Sequence, residues 1–119
     1  MNKIITSCYI GKKGNENLLK YNCIWDTGAS ESMISDKVVK DLNLEKYGYV
    51  MLRTINNEKR SDKYLCSLSL MGHTQSISLN PTCFGKSREF DVIIGMDIIS
   101  YGRFLIENDK FSFTIKSLL

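Results

Sequence analysis

With 119 residues, 43% hydrophobic and 24% charged, the chain has the length of one domain, residues 1–119, and the make-up of an ordinary globular protein. A formal net charge of +3, spread over scattered lysines and arginines, argues against a nucleic-acid-binding face. No apolar run approaches the roughly eighteen residues of a membrane span, so neither nucleic acid nor membrane is an expected partner.

Short alternating stretches dominate the chain. Ile4 to Ile10 and Leu18 to Trp25 read as two strands around the glycine-rich loop Gly11-Lys12-Lys13-Gly14-Asn15. The second strand, ending Cys23-Ile24-Trp25, runs straight into Asp26-Thr27-Gly28 and so drives a carboxylate toward an apolar interior. That costs several kcal/mol unless the acid is protonated, paired or hydrogen-bonded. Either Asp26 ends the strand in a turn, or the chain needs a carboxylate with unusual chemistry. Ser35 is placed to cap a short helix with Asp36 at its positive end and Val38, Val39 and Leu42 as its apolar stripe.

Val50 to Ile55 reads as a third strand, and Lys63 to Leu70 alternates cleanly. Met71-Gly72-His73 turns the chain, Ser76 to Leu79 continues the alternation, and Pro81 ends it. Phe90 to Ile94, apolar apart from Asp91, suits a strand buried on both faces, with Asp91 turned toward solvent or a loop. Met96 to Ser100 reads as a second short helix closed by Tyr101-Gly102, with Asp97 complementing its first N–H groups. Arg103 to Ile106 and Phe111 to Ile115 flank Asn108-Asp109, a hairpin signal. The pattern is all-β with about two short helices.

Cys8, Cys23, Cys66 and Cys83 form no Cys-x-x-Cys pair, and His73 is the sole histidine, so no metal site is expected. The apolar start is broken by Gly11-Lys12-Lys13, too early for a signal-peptide core. The expectation is a cytoplasmic protein with reduced, mostly buried thiols. Met1 makes a free-standing protein more natural than a piece of a polyprotein.

A hydrophobic strand entering Asp26-Thr27-Gly28-Ala29-Ser30, with Phe90-Asp-Val-Ile-Ile-Gly-Met-Asp-Ile-Ile99 far downstream, resembles the retropepsin-like aspartic proteases. That single-domain family includes retroviral proteases and bacterial relatives. The resemblance covers nearly the whole chain. It implies a retropepsin-like β fold, a two-fold homodimer, and Asp26 as the catalytic aspartate. Thr27, Gly28 and Ala29 would complete the active-site loop and its dimer contact, the Thr27 hydroxyl bonding the other loop's backbone. Ile93 would line a pocket, with Ile94 and Gly95 as the supporting segment.

Hydrolysis by this route needs two carboxylates sharing one proton, and the chain has one Asp-[Thr/Ser]-Gly. A second copy would supply the other, with the terminal strands Ile4 to Ile10 and Phe111 to Ile115 as the expected interface. The implied flap is a hairpin from Val50 to Leu70 whose tip, near Asn56-Asn57-Glu58-Lys59, lacks glycine; Ile55, Asn56 and Asn57 are its candidate substrate contacts. Asparagine tolerates the left-handed backbone such a tip can require. Ala29 stands where pepsin-like relatives commonly carry serine, which implies a mildly acidic optimum. The activity expected is that of an aspartic endopeptidase acting on peptide or protein substrates with no cofactor, water being the second reactant. The alternative is a noncatalytic dimeric peptide-binding or scaffolding module that kept the fold.

Overall fold

Alternation in one strand sets the centre of the molecule. In the computed structural model, which describes residues 3–14, 17–53, 55–70 and 76–116, β2 (Leu19–Trp25) buries Tyr21, Cys23 and Trp25 and exposes Leu19, Lys20 and Asn22. On one side it pairs antiparallel with β1 (Ile5–Gly11), from Ile5↔Ile24 to Ile10↔Leu19. On the other it runs parallel to β9 (Val92–Ile94), with Trp25 beside Ile94. The expected doubly buried strand is therefore β9, narrower than Phe90 to Ile94 but central.

β3 (Met33–Ser35) lies antiparallel to β9, and β8 (Thr82–Gly85) runs parallel to β3. Between β3 and β8 in the chain come α1 (Asp36–Leu42), β4 (Lys46–Arg53), β5 (Glu58–Tyr64), β6 (Cys66–Leu70) and β7 (Ile77–Leu79). One nine-stranded sheet results, in the order β4-β5-β8-β3-β9-β2-β1-β6-β7. After β9 come α2 (Met96–Ile99) and a separate hairpin of β10 (Gly102–Glu107) and β11 (Lys110–Ile115). Ile10, Ile34, Leu68 and Ile94 are fully buried in one core, each contributing about 1.5–3 kcal/mol by leaving water.

Local signals explain the helices and the hairpin. The Ser35 hydroxyl oxygen accepts from the Val38 N–H at 3.3 Å, and Asn43 closes α1 with a left-handed φ of 47°. Asn108 and Asp109 take φ of 52° and 59°, the mirror-image turn that matches strand twist. Trp25 then receives the hairpin, its ring 4.9 Å from Phe111 and 4.8 Å from Phe113.

Several expectations are corrected. Lys63 to Leu70 is two strands, because the chain breaks at Leu65, whose N–H donates to the Glu45 carbonyl at 3.1 Å. β6 buries all five residues, serines included, and its backbone is paired with β1 on one side and β7 on the other. The hairpin expected to form a flap spans β4 and β5, residues 46–64, not Val50 to Leu70. β1 offers no long free edge, being flanked by β2 and β6; β11 has an edge left unpaired among the described residues. Asp91 does not simply face outward: its carboxylate accepts from the Ser35 hydroxyl at 2.8 Å. The turn expected at Met71-Gly72-His73 lies outside the described residues.

Candidate active site

β2 delivers Asp26 to the surface. Trp25 is 8% exposed, and its N–H and indole N–H donate to the Ile4 carbonyl and the Thr6 hydroxyl, both at 3.0 Å. The chain turns immediately after it. Asp26 donates its N–H to the Ile94 carbonyl at 2.9 Å, while its Oδ1 accepts the Gly28 N–H at 2.9 Å. The Ala29 N–H closes the turn on the Asp26 carbonyl at 3.2 Å. Asp26, Thr27 and Gly28 are exposed and Ala29 is half-buried. The expectation of a carboxylate driven into the interior is thus corrected for the single chain: the strand is buried, and the turn lifts the acid clear of it.

The loop is backed by the segment after β9. A Cβ on Gly95 would stand 2.7 Å from the Glu31 carbonyl carbon and 2.8 Å from the Ala29 oxygen, both rigid backbone. Only glycine lets the loop lie this close. The Met96 N–H donates to the Ala29 carbonyl at 2.8 Å, and the Asp97 N–H to the Ser30 carbonyl at 3.2 Å. Asp97 lies in the first turn of α2, as expected, and its carboxylate also reaches the loop, accepting from the Ser32 N–H at 2.9 Å and the Ser32 hydroxyl at 2.7 Å. Ser32 is a residue the sequence reading missed, and its only signal was a serine six positions beyond the aspartate.

In front of the loop lies a cleft of about 350 Å³, walled by Gly28 to Glu31 and Met33 on one side and by Val50 and Leu52 of β4 on the other. The flap side is therefore made by Val50 and Leu52, not by the tip. Ile55 is 100% exposed, and Asn57 spends its side-chain oxygen on the Glu58 N–H at 3.1 Å. Asn56 and Asn57 are not left-handed either, because Arg53 pairs with Glu58 and the longer connection removes that need. Ile93 sits half-buried, paired with Ile24 and Met33, and Met33 rather than Ile93 reaches the cleft. The alternation of Val50 and Leu52 against Tyr49 and Met51 was the signal that could have found the flap wall.

The thiols lie apart from the cleft floor. All four cysteines are free, and burial pushes the Cys66 thiol up to about 12. Burial, then the bond to Asp36, pushes Cys83 up to about 11. Among the described residues no three His, Cys, Asp or Glu gather as a metal site would require.

Solved structures share this fold. EIAV protease complexed with the inhibitor HBY-793 matches with a TM-score of 0.63 and 18% identity, over 83% of this chain and 86% of that one. A retropepsin-like aspartic protease from Rickettsia conorii matches at 0.57 and 16% identity, over 94% and 92%. The retroviral protease-like domain of Ddi1 from Leishmania major matches at 0.55 and 16%, over 100% and 99%. A search of curated protein sequences returned no match.

At such identities the likeness speaks for the fold alone, and that fold is the retropepsin-like one: mostly β, with two short helices and a hairpin facing an Asp-Thr-Gly loop. The sequence profile described as retroviral aspartyl protease matches residues 17–117, and the chain belongs to that family.

Proposed function

We propose that the chain is an aspartic endopeptidase, active as a homodimer in which Asp26 of each copy meets across a two-fold axis. The observation that carries this reading is the state of Asp26 in one chain. Its carboxylate stands exposed beside the cleft, tied to the Gly28 N–H at 2.9 Å on a loop whose backbone is fixed from behind. One such acid is half of a known catalytic device, and closing a second copy over it would supply the other half and exclude water.

In the dimer the pair holds one proton. The charged carboxylate takes a proton from water, which attacks the peptide carbonyl, while the protonated partner gives its proton to the carbonyl oxygen. Collapse of the tetrahedral adduct returns a proton to the leaving amine and releases acid and amine. Substrate would lie extended between the loop and Val50 and Leu52, as an added strand does. Four free thiols support a cytoplasmic setting.

The shared site makes a direct test. Specific activity on a degenerate peptide library should fall as the protein is diluted below its dimer dissociation constant, measured by sedimentation. Undiminished activity from a monomer would refute the model. A second reading, a noncatalytic peptide-binding module, is favoured by one feature: the glycine-free flap tip with Ile55 fully exposed. Binding of peptides without cleavage at any concentration would select it.

A further inference from the structure

We propose that Asp97 is a positioning residue for Asp26, acting through Ser32 and the backbone of the intervening loop. The proposal rests on the catalytic reading of Asp26 given above. Asp97 grips the loop twice. Its own N–H donates to the Ser30 carbonyl at 3.2 Å, and its two carboxylate oxygens accept from the Ser32 N–H and hydroxyl at 2.9 and 2.7 Å. The Ser32 oxygen in turn accepts the Gly95 N–H at 3.0 Å, so Ser32 is stitched to both ends of the Gly95–Asp97 segment. With the Asp26 N–H on the Ile94 carbonyl, the loop is fixed at its first residue and at its last.

Three observations separate this role from that of an ordinary helix-end carboxylate. Asp97 sits in the first turn of α2, yet both of its carboxylate oxygens are bonded to Ser32 of the loop. No Lys or Arg pairs with Asp97 among the described ion pairs, so the charge is not there for a surface network. Ser32 is 1% exposed, and removing the carboxylate takes away the partner its N–H has in the fold. Charge-assisted bonds of this kind are shorter and stronger than neutral ones, which gives a reason for aspartate rather than asparagine here. Loss of the clamp frees the 29–32 backbone and, with it, the direction of the Asp26 side chain. Small misplacement of a reacting group is enough to slow catalysis on the order of 10²-fold.

The test uses Asp97→Ala, Asp97→Asn, Ser32→Ala and the Ser32→Ala/Asp97→Ala double variant. Each is assayed for kcat and KM per folded molecule and for amide hydrogen exchange at Gly28 and Ala29. Asp97→Ala should lower kcat on the order of 10²-fold while KM changes little, and Asp97→Asn, which keeps one acceptor, should lose less. The double variant should be no worse than the poorer single one, because both break the same unit. Exchange at Gly28 and Ala29 should quicken in step with the loss of kcat. A merely structural role would lower the melting temperature yet leave kcat per folded molecule and Gly28 exchange unchanged; that result overturns the proposal. Should Asp97→Ala fail to fold, Asp97→Asn carries the same comparison. If the wild-type chain cleaves no peptide, the protease reading fails, and faster or unchanged exchange at Gly28 and Ala29 decides the clamp by itself.

Discussion

The active-site loop and the flap face each other across one cleft and are built by opposite means. The loop, residues 26–32, is held by backbone bonds to Ile94, Met96 and Asp97 and by the Ser32–Asp97 pair, with no spare volume at Gly95. The flap hairpin is exposed along almost all of β4, with Tyr47, Tyr49 and Met51 at 63%, 55% and 49%. Beyond the backbone ladder, its cross-strand side-chain ties are Arg60 over the Tyr49 ring at 4.3 Å and exposed ion pairs such as Arg53–Glu58. Surface pairs of that kind contribute about 0–1 kcal/mol each. The contrast is physical: on the proposed function, the acid sits where geometry is over-determined, and the hairpin facing it sits where opening costs little.

The contrast can be broken most severely at Asp26. Asp26→Asn should lower peptide hydrolysis on the order of 10²–10⁴-fold, the usual worth of a general base, while the melting curve stays in place. Undiminished cleavage of a peptide library by the variant would remove Asp26 from the chemistry. Next in size is Gly95→Ala. Overpacking costs about 1–3 kcal/mol, and since the added carbon meets backbone rather than a movable side chain, we expect the upper end, read by urea unfolding.

Thr27→Val tests the other face of the loop. Thr27 is exposed in one chain, so its hydroxyl is free to bond across a dimer axis. The variant should weaken the dimer by about 1–3 kcal/mol, with monomer stability unchanged, as sedimentation would show.

A fourth test addresses the core behind the loop. Burial raises the Cys66 pKa from 9.0 in the open chain to about 12 in the folded one. The folded state therefore holds the thiol proton more tightly. That stabilisation is complete below pH 9.0 and is lost as pH rises toward about 12. Stability should fall by about 1.4 kcal/mol per pH unit for this one proton. Unfolding measured from pH 8 to 11 should fall less steeply in Cys66→Ala than in the wild type. The smallest effect belongs to the flap: Ile55→Ser should change stability by less than about 0.5 kcal/mol, because the side chain leaves no contact behind. A larger loss would mean the tip is held more firmly than its exposure indicates.

The same contrast governs what was legible in the sequence. The first two strands, the terminal hairpin, the Ser35 cap and the Asn108-Asp109 turn carry their structure in local chemistry and were read within a residue or two. So was the Asp26–Ala29 loop with Ile94 and Gly95 behind it, since a strand running into Asp-Thr-Gly is locally odd. β3 and β8 went unread because neither exceeds four residues, and their pairing with each other and with β9 comes from distant chain. The Ser32–Asp97 pair was hidden for the same reason: nothing near either residue announces the other. The hairpin expected as a flap was read with its bounds shifted, and the tip drew attention while Val50 and Leu52 form the wall of the cleft.

Trp25, finally, ties the site to the order in which the chain is made. Its ring rests on Phe104, Phe111 and Phe113, with centroids 6.3, 4.9 and 4.8 Å away, all from the hairpin that follows every other element. Until those aromatics leave the ribosome, the residue immediately before Asp26 lacks the partners that bury it. β2 and β9, parallel neighbours from opposite halves of the sequence, likewise cannot meet early. A nascent chain thus carries its aspartate on a strand not yet seated, and the loop becomes rigid only once that hairpin has been made.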